Sequence, residues 1–492
     1  MKKRLLTAAL SGVLLLGCLS GCGKKEAGIP KGIKLDPSNP VSLTVWHYYN
    51  GAQQAAFDAL VSEFNATKGK ELGIYVEDYS QGSVSDLEKA ITDSAAQVVG
   101  SQSMPDIFSS YADTAYSLQK SNLLADLTAY FTADELKEYV PGYIQEGYFQ
   151  DDGALYLFPV AKSTEIMMMN ATDWEPFAQA TGSTTEELST VEGIVKVAQR
   201  YYEWTDAQTP DIPNDGKAFY GRDSMSNYFV IGMKQMGTDL FDVQKGEVTI
   251  RADKEKIRRL WDNYYVPYVN GWFVRYGKFR SDDVKTGDLL AYTGSTASAS
   301  YFPDQVMEDA GSRPISYIVL PAPVMESGEQ IYVQQGADMA VTKSDTLHEY
   351  AACQFLKWFT AKENNLRFVC ESTYLPVRND ANSTQALDQV IEKYNLNVPP
   401  KSHDTLKVVL DSFSHITFYT TKSFDTGYAT RKVLDYNLSD KAVADKAEID
   451  AQIAAGVSRE DAIAPYVTDE AFDAWYDSFC QALEAKAHPA NN

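Results

Sequence analysis

Leu157-Phe158-Pro159-Val160-Ala161-Lys162-Ser163-Thr164-Glu165 runs directly into Ile166-Met167-Met168-Met169 and stops at Asn170. Two short apolar runs of strand character flank the small and polar tetrad 161–164. Pro159 has no N–H to give a central ladder, so it marks the end of one sheet rather than its middle. The stretch reads as the chain leaving one α/β lobe and entering a second, with a ligand cleft between them.

Upstream, the pattern alternates strand and helix. Residues 41–48 alternate apolar and polar, and Asn50-Gly51 breaks the run. Residues 53–67 put Phe57, Leu60, Val61 and Phe64 on one helical face, with Gly69 as the expected stop. Residues 74–79 predict a second strand. Ser85-Asp86-Leu87-Glu88 reads as a capping box opening a helix, and Pro105-Asp106-Ile107-Phe108-Ser109 as a third strand. Short connections in this order imply a mostly parallel sheet covered on both faces, with ligands beyond the carboxyl ends of its strands. That places candidate contacts at Trp46, Tyr49 and Asn50, at Tyr111 and Asp113, and at Lys162 and Ser163.

Downstream, Ser189-Thr190-Val191-Glu192 reads as a second capping box, and Arg222 follows an aromatic run. Residues 292–296 read as a small-residue loop that a ligand could approach, which brings in Ser295 and, beyond it, Tyr301. Residues 315–320 predict a strand ended by Pro321, and Gln335-Gly336 a return to the first lobe. Helices are predicted over 347–359 and 470–485.

At 492 residues, 44% hydrophobic and 12% aromatic, the chain is long enough for two globular domains. A formal net charge of -23 argues against nucleic acid or an anionic membrane surface as partner. Lys2-Lys3-Arg4 followed by the apolar run 5–17 has the form of a secretory signal, too short to span a bilayer. It ends in Leu19-Ser20-Gly21-Cys22, which resembles a bacterial lipobox with Cys22 as the lipidated mature N-terminus. The expected organisation is therefore signal peptide 1–21, tether 22–40, first lobe 41–160 and 337–380, and second lobe 161–336 and 381–492. The remaining Cys353, Cys370 and Cys480 form no CxxC, and a Cys353–Cys370 bridge is left open by their spacing.

Catalytic signatures are absent from the sequence. There is no Gly-x-Ser-x-Gly, Walker loop or Gly-x-Gly-x-x-Gly, and His348-Glu349 has Ala352 where a zinc-protease helix needs its second His. No metal or cofactor is expected. A paired-carboxylate glycosidase leaves no sequence signature and stands as the alternative, a secreted carbohydrate-active enzyme.

The ordered set of lipobox, Leu43-Thr44-Val45-Trp46, Met104-Pro105-Asp106-Ile107-Phe108, Tyr156-Leu157-Phe158-Pro159 with Asn170, residues 351–359 and Tyr374-Leu375-Pro376-Val377 resembles the family 1 extracellular solute-binding proteins of maltodextrin-binding type. The resemblance implies the type II periplasmic-binding-protein fold, two α/β lobes joined by three crossovers, here near 159–163, 334–337 and 378–382. It implies a monomeric, lipid-anchored, extracytoplasmic protein that captures a carbohydrate by lobe closure and hands it to an ABC importer permease. The family's acidic crossover position falls on Lys162, which points away from maltodextrin and towards an acidic sugar, sugar phosphate or glycerol phosphate. On this reading Lys162→Ala weakens binding and leaves the unliganded melting temperature nearly unchanged. Each site residue also has a plainer reading: core packing for the aromatics, a helix cap for Asp113, an ion pair for Lys162 or Arg222, a turn for Gln335-Gly336.

Overall fold

The computed structural model describes residues 32–149, 153–308 and 311–489. The signal segment 1–21, Cys22 and the tether as far as residue 31 lie outside the described residues. Among the described residues no helix is long and apolar enough to cross a membrane.

The strands are β1 (Val41–His47), β2 (Ile74–Ser80), β3 (Ile107–Ser110), β4 (Glu165–Asn170), β5 (Tyr220–Arg222), β6 (Phe241–Gln244) and β7 (Glu247–Ile250). They continue with β8 (Ala291–Ser295), β9 (Gln305–Glu308), β10 (Gly311–Pro314), β11 (Tyr317–Pro321), β12 (Ile331–Val333), β13 (Asp338–Val341) and β14 (Thr417–Tyr419). The first lobe is built on a sheet of order β13-β3-β1-β2, parallel except for β13, which runs antiparallel to β3. Val41, Leu43 and Val45 of β1 point into the core while Ser42 stays exposed. Trp46 and His47 are buried too, because the strand is by then covered on both faces. One cover is the helix Gly51–Ala66, burying Phe57, Leu60, Val61 and Phe64. The helix Thr346–Phe359 joins it, with Phe355 meeting Phe64 edge-on at 5.1 Å.

Three local expectations need correction. Gly69 does not stop the helix: the chain kinks at Thr67, turns once more as Lys68–Leu72, and stops at Gly73 with φ +77°. The first capping box is Ser83 with Asp86, each side chain bonded to the other's backbone N–H at 3.2 Å, so Glu88 is released from the cap. The second helix is capped by Thr190, whose hydroxyl accepts from the N–H of Gly193, and Glu192 instead takes Arg259 Nε at 2.6 Å.

The second lobe is built on a sheet of order β11-β4-β8-β5. β4 is buried throughout, and Pro321 sits on the edge strand β11, where no donor is required of it. Residues 292–296 are no loop: β8 pairs with both β4 and β5 at the sheet's centre. A 28-residue helix, Gly427–Ala454, packs Leu434, Leu438, Ala442 and Ile449 into this lobe's main core.

The hydrophobic clusters separate accordingly. Residues 41–161 and 337–377 supply one, while two others draw on 166–333 and 366–487. The helix Lys362–Ser372 sends Phe368 into the first cluster and Leu366, Val369 and Cys370 into the third, so it is shared between bodies. Cys353 and Cys370 are free thiols in different clusters, which excludes the bridge their spacing left open.

Two of the crossovers lie side by side with residue 375, a few positions before the third. Ser163 and Gln335 exchange backbone hydrogen bonds of 2.8 and 3.1 Å, and Lys162 pairs likewise with Leu375. Gly336 adopts φ +99°, and a Cβ there would lie 3.1 Å from the carbonyl oxygen of Ala161 and 3.3 Å from Cα of Lys162. Gly336→Ala is therefore expected to cost on the order of 1–3 kcal/mol in denaturant unfolding. Gly456→Ala, with φ +95° and nothing within 4 Å, is the control. An equal loss in both would show that the close approach plays no part.

Candidate functional site

Where β3 ends at Ser110, Tyr111 precedes the helix Ala112–Lys120 and Asp113 enters its first turn, beyond the carboxyl end of the sheet. A cavity of about 360 Å³ opens there, between the lobes. Its first-lobe wall is Glu88, Tyr111, Asp113, Thr114 and Glu146; its floor is Val333, Gln334 and Gln335. The opposite wall comes from Ser224, Ser226 and Asn227, from residues 419–421 after β14, and from Tyr428, Arg431, Lys432 and Asp435 on the long helix. A smaller chamber of about 180 Å³ adjoins it, sharing Glu146, Gln334 and residues 419–421.

The lobes touch beside this cavity. Arg431 Nε donates to Asp113 Oδ2 at 2.9 Å, and Lys120 pairs with Asp425 at 2.5 Å. Gly427 opens the long helix against Asp113; a Cβ there would meet Asp113 Oδ1 at 2.5 Å. Buried polar atoms also face the cleft without a hydrogen bond inside the protein, among them Thr421 Oγ1 on a residue only 4% exposed.

Behind the floor lies a buried charge cluster. Lys162, 0% exposed, donates to Glu146 Oε2 at 2.8 Å and to the carbonyl of Gly336 at 3.2 Å, and lies 2.7 Å from Asp338 Oδ1. Glu146 also accepts from Gln334 Nε2 at 2.5 Å. Burial disfavours the lysine's charge, but Asp338 and Glu146 outweigh it and hold its pKa above the ordinary value. With one ammonium for two carboxylates, burial pushes Asp338 up to about 7. Lys162 therefore spends its charge inside the protein, and the inference of an acidic ligand drawn from it falls.

Of the other sequence candidates, Tyr111, Asp113 and Gln335 line the cleft, and Gly336 supports its floor. Gln335 Oε1 accepts from Asn227 Nδ2 at 3.0 Å, which also reaches Glu165 at 2.9 Å. Arg222 sits one layer behind, paired with Glu165 at 3.0 Å and stacked 4.8 Å over Tyr228. Trp46 and Tyr49 are core residues, Tyr49 packed among His47, Phe57 and Phe368. Asn50 precedes a helix at the surface, Ser163 is a buried backbone bridge, Ser295 caps a short 3-10 turn, and Tyr301 is exposed and is not among the residues lining the cavity. The sequence reading missed Glu88, Glu146, Asn227, residues 419–421 and the long helix's contribution. Tyr428, Arg431, Lys432 and Asp435 recur at i, i+3, i+4 and i+7, a polar helical face that could have been found.

One group of metal-binding residue types does assemble: His47, Asp58 and Asp78 hold ligand atoms within 4.8 Å of one another. The N–H of Tyr49 donates to His47 Nδ1 at 3.1 Å, which puts the neutral ring's proton on Nε2, facing Asp78 at 3.5 Å. Burial and the neighbouring Asp78 carboxylate push Asp58 up to about 6.

Two α/β lobes, adjacent crossovers and a cleft between them define a solute-binding protein of the two-lobed class. The chain belongs to the bacterial extracellular solute-binding protein family, whose model matches residues 59–397. Among curated proteins none matches it. Solved structures share the fold. The cyclic α-maltosyl-1,6-maltose binding protein of Arthrobacter globiformis has a TM-score of 0.66 at 19% identity, over 92% of this chain and 100% of its own. UgpB of Mycobacterium tuberculosis, in complex with glycerophosphocholine, has 0.64 at 16% identity, over 91% and 99%. A substrate-binding protein of Listeria monocytogenes, in complex with cycloalternan, has 0.59 at 17% identity, over 90% and 99%.

The cluster behind the floor reverses the expected effect of losing Lys162. Lys162→Ala leaves two carboxylates buried without their cation and is expected to cost about 3–5 kcal/mol of stability, measured as a lower melting temperature without ligand. An unchanged melting temperature would place Lys162 outside the structural core of the hinge. Asp338 has a folded pKa above its ordinary 3.8, so its stabilising contribution is complete below that value and is lost as pH rises through about 7. The melting temperature of Asp338→Asn relative to the parent should therefore rise between pH 5 and pH 8. A flat difference would contradict this.

Proposed function

We propose that this chain is a lipid-anchored, extracytoplasmic binding protein that captures a carbohydrate or related polyol between its lobes and delivers it to the permease of an ABC importer. The observation that carries the reading is the cleft's lining. Tyr111, Tyr419 and Tyr428 line it from both lobes, and Asn227, Gln334, Gln335 and Thr421 bring amide and hydroxyl groups between them. Sugar rings present C–H faces that pack on aromatic planes and hydroxyl edges that need paired donors and acceptors. Leaving a buried partner unpaired costs about 1–3 kcal/mol, so a few such side chains suffice for selectivity. Structural relatives that bind cyclic α-maltosyl-1,6-maltose, cycloalternan and glycerophosphocholine support the same solute class.

The anchor follows from the lipobox at Cys22, and two acyl chains would hold the protein stably on the outer face of the membrane, as a monomer. The glycosidase alternative is the weaker reading, since the matching family and the similar solved structures are those of binding proteins. Purified protein titrated with oligosaccharides should give a saturable upward shift in melting temperature, about 2.7 kcal/mol at a hundredfold excess over Kd, and chromatography should recover the ligand intact. Tyr428→Ala should weaken binding at least tenfold. Released cleavage product would convert the protein into an enzyme, and an unaltered Kd in Tyr428→Ala would remove that ring from the site.

A further inference from the structure

The charges of the cleft do not balance. Lys432 stands outside any ion pair among the described residues, its ammonium 5.1 Å over the Tyr428 ring and 5.6 Å over Tyr436, while Arg431 with Asp113 at 2.9 Å and Lys162 behind the floor with Glu146 and Asp338 are already engaged. Two carboxylates of the lining are not. Among the described residues, neither Glu88 nor Asp435 has an ion-pair partner within 4 Å. Glu88 accepts from Thr114 Oγ1 at 3.3 Å, and Lys432 acts on it only from longer range. Asp435 Oδ1 accepts the N–H of Ser226 at 2.9 Å, and the residue lines the cleft.

Beside these acids, Tyr111 and Tyr428 are 37% and 47% exposed, Tyr428 with the Lys432 ammonium over one face of its ring. Carboxylates and aromatic faces in one partly dehydrated cleft favour a cation, through charge-assisted hydrogen bonds and through the negative face of the ring. A carboxylate on the solute, or a phosphate not balanced by the solute's own ammonium, would instead meet like charge, with Lys432 as the lining's one cation outside an ion pair among the described residues. The net charge of -23 acts in the same direction at long range, concentrating cationic solutes around the protein.

Resting on the carbohydrate-binding reading, we propose that the solute carries an ammonium group, as an amino sugar or a choline-bearing polyol does, and that Glu88, Asp435 and the flanking tyrosines hold it. The expectation of an acidic ligand is thereby inverted.

Calorimetric titration at about pH 6, where sugar amines are charged, provides the test. The probes are the glucosamine disaccharide, its di-N-acetylated form, glycerophosphocholine, a glucuronate-containing disaccharide and maltotriose. The N-acetylated form keeps the ring skeleton and removes only the charge. We expect the glucosamine disaccharide or glycerophosphocholine to bind at least tenfold tighter than the N-acetylated and glucuronate probes, and whichever of the two does so identifies the amine's source. Glu88→Gln and Asp435→Asn, each folded by circular dichroism, should reduce that margin to less than threefold. A neutral or glucuronate probe binding as tightly as the amines overturns the inference and leaves the carbohydrate reading standing. So does a margin that survives both substitutions. If none of the probes binds, maltotriose included, the carbohydrate reading fails with it.

Discussion

One ammonium shared by two buried carboxylates is the constraint on which the architecture turns. Lys162 belongs to the first crossover, Asp338 to the segment that follows the second, and Glu146 to the first lobe's wall. Ions out of water must find one another, and the penalty for separating them exceeds that of most single contacts. The cluster therefore fixes where two crossovers stand, and through the carbonyl of Gly336 it fixes the backbone between them. Ser163 and Gln335 add paired hydrogen bonds on the same segment. The hinge region is thus a stiff seam, and the cleft floor of Gln334 and Gln335 is laid on it.

From that seam the walls take their chemistry. The first lobe presents the ends of β3 and of its neighbouring helices, where turns leave backbone and short polar side chains facing outward. The second lobe presents one face of the Gly427–Ala454 helix, with tyrosines and charges spaced to project together. What the walls share is aromatic surface, amides and hydroxyls, which is the equipment of recognition.

How far this was legible in the sequence differs by level. The first lobe was readable because β1 and β2 carry period-two patterns and the helix Gly51–Ala66 carries a plain apolar stripe. The crossover at Lys162 was found from Pro159 and the tetrad after it. The long helix went unread because its buried face includes Gly427, Thr430, Ser439 and Ala442 beside only a few large apolar residues, so its amphipathic signal is faint. The site was read least well. Trp46 and Tyr49 have the residue types of sugar platforms yet fall in the core, and Lys162 has the charge of an anion receptor yet faces two acids. Periodicity tells which face of an element is apolar; it does not tell which polar groups three distant segments will bring to one point. Glu88 shows the same limit, since it looked like half of a capping box until Asp86 was found in that role.

The ties between the lobes are slight beside the seam that joins them. Lys120 and Asp425 are both about half exposed, and such pairs contribute roughly 0–1 kcal/mol. Arg431 with Asp113 is better sheltered but remains one pair at the mouth of the cleft. A molecule that carries cargo, as proposed above, must also let go of it. On the proposed reading, stiffness at the base and weak fastening at the rim would give a jaw that shuts in register yet needs little force to part, so the grip would last about as long as the cargo's own contacts hold it closed.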